Sequence, residues 1–195
     1  MILGVTGGFG CGKSSILRFF ESRSYFTMDA DAVCRSFYEN SEPQLISCIK
    51  ENFGQKFFLP DGQIDRKKLA DVLFSDPKKM ALVTAAIYPL LREKIVAAIN
   101  QCRAKNRHGV FELPLLYEAG FENYFDAIVA IWCPAELRKQ RLAGRNFTLA
   151  EIDERDMRQM PPDEKLERAD FGIINNGSPE YLNSQLEKLV QNLNL

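Results

Sequence analysis

Near the start of the chain, Gly7-Gly-Phe-Gly-Cys-Gly-Lys-Ser14 satisfies G-x-x-x-x-G-K-[ST] at every fixed position. The chemistry of that spacing is phosphate binding. Glycines let backbone N–H groups converge on phosphate oxygens with no Cβ in the way, and a helix beginning at the last glycine adds the positive end of its dipole. Lys13 stands where a lysine reaches the β- and γ-phosphates of a nucleoside triphosphate, and Ser14 offers a hydroxyl to Mg²⁺. Cys11 lies inside the loop, beside Lys13, so its thiol is expected to have a depressed pKa and to be open to alkylation.

Two further groups of residues have types suited to phosphoryl chemistry. Asp29-Ala-Asp31, followed by Arg35, stands at the end of an apolar run. In an open parallel sheet that edge lines the ligand crevice, where a carboxylate is a candidate proton acceptor. Both acids equally suit a helix N-terminus, as a cap and a first-turn charge. Arg138, Arg141 and Arg145 are spaced three and four apart, which predicts three guanidiniums on one helix face, fit to clamp phosphates or simply to meet water.

Several classes are excluded by what the chain has little of. Its single histidine, His108, sits in the charged stretch Arg103-Ala-Lys-Asn-Arg-His108 and reads as a surface residue, so a Ser/His/Asp triad or a histidine-rich metal site is ruled out. The five cysteines (Cys11, Cys34, Cys48, Cys102, Cys133) are an odd number at irregular spacings, which argues for thiols in a reducing cytoplasm. A net charge of −1 gives no reason to invoke nucleic acid or an anionic membrane. No apolar run approaches the ~18 residues of a membrane span, and no basic leader precedes the glycine-rich loop. There is no Asn-Lys-x-Asp guanine signature of a GTPase switch. A motor or transporter ATPase is disfavoured by the chain's length of 195 residues and by Glu112 where those machines carry an Asp. A small-molecule kinase is the better reading. A kinase for another metabolite or nucleoside monophosphate, or a nucleotide-binding switch without turnover, stays open.

These residues need elements to position them. Ile2–Thr6, Val110–Leu113, Ala127–Trp132 and Phe171–Ile174 are short apolar runs ending in glycine, proline or asparagine, the pattern of buried parallel strands, and Tyr25–Asp29 reads as a further strand. Ile16, Leu17, Phe19 and Phe20 give the helix after the loop its apolar face. Ser178-Pro179 opens a last helix with Leu182, Leu186, Leu189, Val190 and Leu193 on one side, and Thr148-Leu-Ala-Glu151 is a capping box. Pro89 is expected to interrupt the long helical pattern from Pro77 to about Lys105. Trp132 and the many phenylalanines read as core. The prediction is an α/β fold: a five-stranded parallel sheet flanked by helices in three layers, broken by insertions at about 30–109 and 134–170.

With Asp29-Ala-Asp31 in place, the sequence resembles the dephospho-CoA kinase family from end to end. The resemblance runs through Thr6–Ser14, Asp29-Ala-Asp31 with Arg35, Asp61-Gly62 with Arg66, Pro114-Leu-Leu-Tyr-Glu118 and Arg138…Arg141…Arg145. It closes on Gln159-Met-Pro161, Lys165, Ala169-Asp170 and Asn175-Asn176-Gly177. One departure is Tyr88-Pro89, where the family usually has His-Pro. The resemblance implies a single P-loop kinase domain with core at about 1–29, 110–133 and 171–195, a helical acceptor-binding insertion, and a helical lid. It implies transfer of the ATP γ-phosphoryl group to the ribose 3′-hydroxyl of dephospho-CoA, with Mg²⁺ held through Ser14. By the same resemblance, Asp31 and Lys13 are catalytic. Gly8, Gly10, Cys11, Gly12, Lys13, Ser14, Ser15, Arg138, Arg141, Arg145 and Asn175 bind ATP, and Asp31, Arg35, Tyr88 and Leu115 meet the acceptor.

Overall fold

A computed structural model describes residues 1–145 and 147–195, the side chain of Phe74 apart. The chain divides into two compact units, Met1–Ala30 with Ile99–Leu195, and Asp31–Ala98.

In the first unit, among the described residues, five parallel strands form one sheet: β1 (Ile2–Gly7), β2 (Phe26–Asp29), β3 (Gly109–Glu112), β4 (Ala127–Trp132) and β5 (Phe171–Ile174), in the order β2-β3-β1-β4-β5. Every residue of β1 is buried because the strand is central, paired with β3 on one side and β4 on the other. Leu3, Val5, Val129, Ile131 and Ile173 pack against Ile16, Phe19 and Phe20 of α1 (Lys13–Glu21) and Leu182, Leu186 and Leu189 of α9 (Pro179–Asn192). Gly4 points the other way, where a Cβ would lie 2.7 Å from Phe125 and 2.8 Å from Leu116. Burying these side chains at about 1.5–3 kcal/mol each is what holds the helices to the sheet.

The strand limits differ slightly from the reading of the sequence. β1 runs on to Gly7, which pairs with Ile131, and β2 and β3 begin at Phe26 and Gly109. Trp132 is half-buried rather than core: its indole N–H needs a partner and donates to Asp163 Oδ1 at 2.9 Å. His108 is half-buried too, its Nδ1 3.0 Å from the N-terminal ammonium. No helix among the described residues is long and apolar enough to cross a membrane.

The first unit also holds α6 (Ala135–Ala143), α7 (Leu149–Met157) and α8 (Pro162–Arg168). The capping box forms as expected, with Thr148 Oγ1 accepting from the Glu151 N–H at 3.3 Å and Glu151 accepting from the Thr148 N–H at 2.8 Å.

The second unit is helical: α2 (Ala30–Glu39, entered from β2), α3 (Pro43–Phe53), α4 (Arg66–Ser75) and most of α5 (Pro77–Ala104). Phe37, Leu45, Ile49, Phe57, Leu69 and Leu73 are buried in it. Asp61-Gly62 makes a tight turn, with Gly62 at φ +86° and Asp61 Oδ1 accepting from the Gln63 N–H at 3.0 Å. Pro89 does not break α5, which continues for 28 residues across it. The buried stripe Val83, Ile87, Leu90, Leu91, Ile95, Ile99 and Cys102 keeps helical spacing through the proline. Burying it outweighs the roughly 3 kcal/mol an interior proline costs.

Candidate active site

β1 is the strand from which the chain goes first to one side of the sheet and then to the other, so its carboxyl end opens at the place where open α/β sheets bind ligands. The glycine-rich loop follows there. Gly7, at φ +145°, passes so close to β4 that a Cβ would stand 2.2 Å from the Ile131 carbonyl. Gly10 and Gly12 also have positive φ, +83° and +103°. α1 then starts with no side-chain cap and no acid in its first turn, leaving its first N–H groups to whatever enters the loop. Lys13 is buried, its Nζ donating to the Gly7 and Gly8 carbonyls at 3.0 and 3.2 Å. The hydroxyl of Ser14 is exposed in the first turn, and Ser15 accepts from Arg18 at 3.2 Å.

Later segments close around this loop. Asn175, at the end of β5, donates through Nδ2 to the Cys11 carbonyl at 2.7 Å, so it does more than end a strand. A Cβ on Gly12 would meet that same Nδ2 at 2.3 Å. Arg141 donates to the Asn175 carbonyl at 3.1 Å and to its Oδ1 at 3.3 Å. Arg138 donates to the Phe9 carbonyl at 3.1 Å and grips Asp156 with both nitrogens, at 2.8 and 2.7 Å. That bidentate grip raises its pKa. Beside the loop lies a cleft of about 580 Å³, lined by Gly12, Ser15, Arg141, Arg145, Asn175 and Leu182. The Arg23–Glu187 ion pair also lines it.

The three arginines therefore do not share one helix face. α6 ends at Ala143 because Gly144 caps it, and Arg145 lies beyond the cap. Arg138 is buried and committed to Asp156, Arg141 is half-buried and holds Asn175, and Arg145 is exposed at the cleft.

Cys11 also departs from expectation. It is fully buried, which closes it to alkylating agents. Its pKa is lowered to about 7, but the leading cause is a hydrogen bond from the Cys133 thiol, with Lys13 a lesser one and burial acting against both. Cys133 is correspondingly pushed up, by the same bond and by burial.

Lys165, on α8, is fully buried. Its Nζ donates to the Pro114 carbonyl at 2.5 Å and pairs with Glu118 at 2.9 Å. Glu118 also accepts from the Met160 N–H at 2.7 Å. Burial lowers the Lys165 pKa, and Glu118 counters that. Thus Pro114, Glu118, Met160 and Lys165, quoted above only as parts of a resemblance, form one polar knot. Leu115 is half-buried in the turn next to it. Its pairings, like Arg138–Asp156 and Cys11–Cys133, join residues far apart in the chain, and no local spacing signals them.

Asp31, Arg35 and Tyr88 belong to the second unit. Asp31 is exposed in the first turn of α2, Arg35 is exposed one turn later, and Tyr88 is half-buried in α5. Asp29 is the last residue of β2. Among the described residues no group of three His, Cys, Asp or Glu could hold a metal. Mg²⁺ fits this chain in another way, since that ion keeps waters and phosphate oxygens among its ligands, and the exposed Ser14 hydroxyl stands where a phosphate-loop serine would hold it.

The model of the dephospho-CoA kinase family matches residues 1–180. A dephospho-CoA kinase of Enterococcus faecalis is 34% identical over 191 residues, 97% of this chain and 96% of that protein. One of Anaeromyxobacter dehalogenans is 36% identical over 194 residues, covering 98% and 92%. The crystal structure of TT1252 from Thermus thermophilus superposes with a TM-score of 0.81 at 30% identity, covering 99% of this chain and 97% of that one.

Proposed function

The chain belongs to the dephospho-CoA kinase family, and we propose that it transfers the γ-phosphoryl group of ATP to the ribose 3′-hydroxyl of dephospho-CoA, giving coenzyme A and ADP. The observation that carries the donor half is the loop itself: an uncapped helix start, a buried lysine across the loop, and Asn175 and Arg145 beside an open cleft. The acceptor half rests on the family.

In this reading the 3′-oxygen forms a bond to the γ-phosphorus as the bond to the β,γ-bridging oxygen breaks. The leaving electron pair goes to ADP, and the hydroxyl proton goes to the Asp31 carboxylate. Lys13 and Arg145 offset the charge that develops on the phosphates. Arg35, Tyr88 and Leu115 orient the acceptor. Arg138 and Arg141 act from behind, holding the Phe9 carbonyl and Asn175 so that the loop keeps its shape. The helices α6–α8 serve as a lid that excludes water. When bound through Ser14, Mg²⁺ neutralises phosphate charge. All five cysteines stay as thiols, which supports a cytoplasmic setting.

The test is a coupled ADP-release assay with dephospho-CoA beside AMP, CMP and shikimate as acceptors. ADP release should depend on Mg²⁺ and on dephospho-CoA. Equal stimulation by a nucleoside monophosphate would leave a kinase and overturn this acceptor. Tight nucleotide retention with no acceptor-dependent turnover would point to a switch.

A further inference from the structure

The proposed transfer uses neither thiol of the pair at the phosphate loop. Cys11 lies between Gly10 and Gly12, and Cys133 is the first residue after β4. Two observations besides the hydrogen bond between their side chains bring them together. β4 runs beside β1 in a register that pairs Ile131 with Gly7, where the loop begins. Asn175 then binds both segments: its backbone N–H donates to the Trp132 carbonyl at 2.8 Å and its Nδ2 to the Cys11 carbonyl at 2.7 Å. Each cysteine is thus anchored beside the other before any covalent bond joins them.

The pair has the parts that reversible oxidation needs. Lys13 and Arg138 favour the thiolate of Cys11, the reactive form, and the Cys133 thiol is in place to resolve an oxidised Cys11. Burial excludes bulky reagents from both sulfurs. A hydroperoxide is scarcely larger than water, and Gly10 and Gly12, on either side of Cys11, line the open cleft, which gives it a way in. Those two glycines, at φ +83° and +103°, also leave the loop free to follow the sulfur.

Resting on the reading of the loop as the ATP site, we propose that Cys11 and Cys133 are a site of reversible oxidation, which a hydroperoxide closes into a disulfide that switches off ATP binding. The Cys11 sulfur attacks one peroxide oxygen and the O–O bond breaks. The other oxygen leaves as hydroxide, which takes up a proton, and Cys11 becomes a sulfenic acid. The Cys133 sulfur then attacks the Cys11 sulfur. An S–S bond forms as the S–O bond breaks, and the hydroxyl group leaves as water with the Cys133 proton. Two thiols have lost two electrons and two protons, and hydrogen peroxide has become two waters. The new bond draws the sulfurs well inside hydrogen-bond distance. Cys11 moves toward Cys133 and takes with it the neighbouring N–H groups of Gly12 and Lys13 that a phosphate needs. A dithiol reverses the step by exchange.

The test exposes the full chain to hydrogen peroxide, removes the oxidant, and follows ATP binding by calorimetry and turnover by ADP release. Tryptic digestion without reductant should give residues 1–13 joined to residues 108–138, the peptides that carry Cys11 and Cys133. kcat/KM for ATP should fall about 10²-fold, the scale of effect that a misplacement of about 1 Å has, and dithiothreitol should restore it. Cys133→Ala, which lacks the resolving thiol, should have parent-like activity before oxidation. Afterwards it should give no joined peptides, and its Cys11 should pass on to the sulfinic acid, so that dithiothreitol no longer restores activity. Cys34→Ser should respond as the parent does. A parent in which the joined peptides never form would overturn the proposal, whether or not activity is lost, and that result does not depend on Cys133→Ala folding. So would joined peptides with unchanged ATP affinity, or a Cys34→Ser variant that resists peroxide. Failure of the reduced parent to bind ATP would strike the reading of the loop itself, and is seen before any oxidant is added.

Discussion

Lys13 and Asp31 serve opposite ends of the proposed transfer, so their losses should differ in kind. Lys13→Ala removes a cation aimed at the transferring phosphates and is expected to lower kcat by about 10²–10³-fold. Asp31→Asn should lower kcat by about 10²-fold or more while the affinity for ATP, measured by calorimetry, stays near that of the parent. The thiol pair gives a residue-scale prediction of another type. Cys11 loses its proton near pH 7 in the native chain but near 9 when unfolded, so between those values the unfolded chain binds more protons. That contribution to stability is complete above pH 9 and is lost as pH falls through 7. Cys133 is displaced the other way, so its contribution is present below pH 9 and fades above it. Urea unfolding should therefore show stability rising from pH 7 to 9, and Cys133→Ala should remove that rise whatever constant loss its cavity causes. An unchanged slope in the variant would mean that the two thiols do not share a proton.

Helix α6 separates arginines that look alike in the sequence. Arg138 is gripped by Asp156 and buried, so Arg138→Ala leaves a carboxylate without its partner and the Phe9 carbonyl without a donor. The expected cost is about 3 kcal/mol of stability, read as a fall in Tm, with lost activity following from the damaged loop. Arg145 lies past the helix cap and lines the cleft, so Arg145→Ala should keep the parent's Tm and raise the KM for ATP. Two variants with the same Tm would contradict this division. The element scale also shows why Asn175 matters: it ties β5 to the loop through the Cys11 carbonyl, and it is tied in turn by Arg141.

For the whole molecule, the two units should answer to different ligands. ATP at about 100 times its Kd should stabilise by about 2.7 kcal/mol whatever it binds. Hydrogen exchange should register that gain in β1, α1 and the start of α9, with α3 and α4 unchanged. Dephospho-CoA alone should slow exchange in α2 and α4. Protection of α4 by ATP alone would mean that the units do not bind separately.

The strands and the loop were legible because each is a local pattern. A central parallel strand is buried on both faces, so Ile2–Val5 and Ala127–Ile131 carry only apolar side chains or glycine. A phosphate loop needs glycine where its backbone turns, and a lysine after it. The Thr148–Glu151 capping box and the last helix's leucine stripe are local in the same sense. What only the tertiary structure decided are the pairings across long separations. These are Arg138 with Asp156 and Phe9, Lys165 with Glu118 and Pro114, Cys11 with Cys133, and Asn175 with the loop. Pro89 belongs with them. Its local cost was readable, but the buried stripe that overrides it depends on what packs along α5 on either side of the proline. A side chain's charge is written in the sequence, whereas the partner that claims that charge is fixed only when distant strands and helices are brought into contact, because burial makes an unmatched charge too costly to leave.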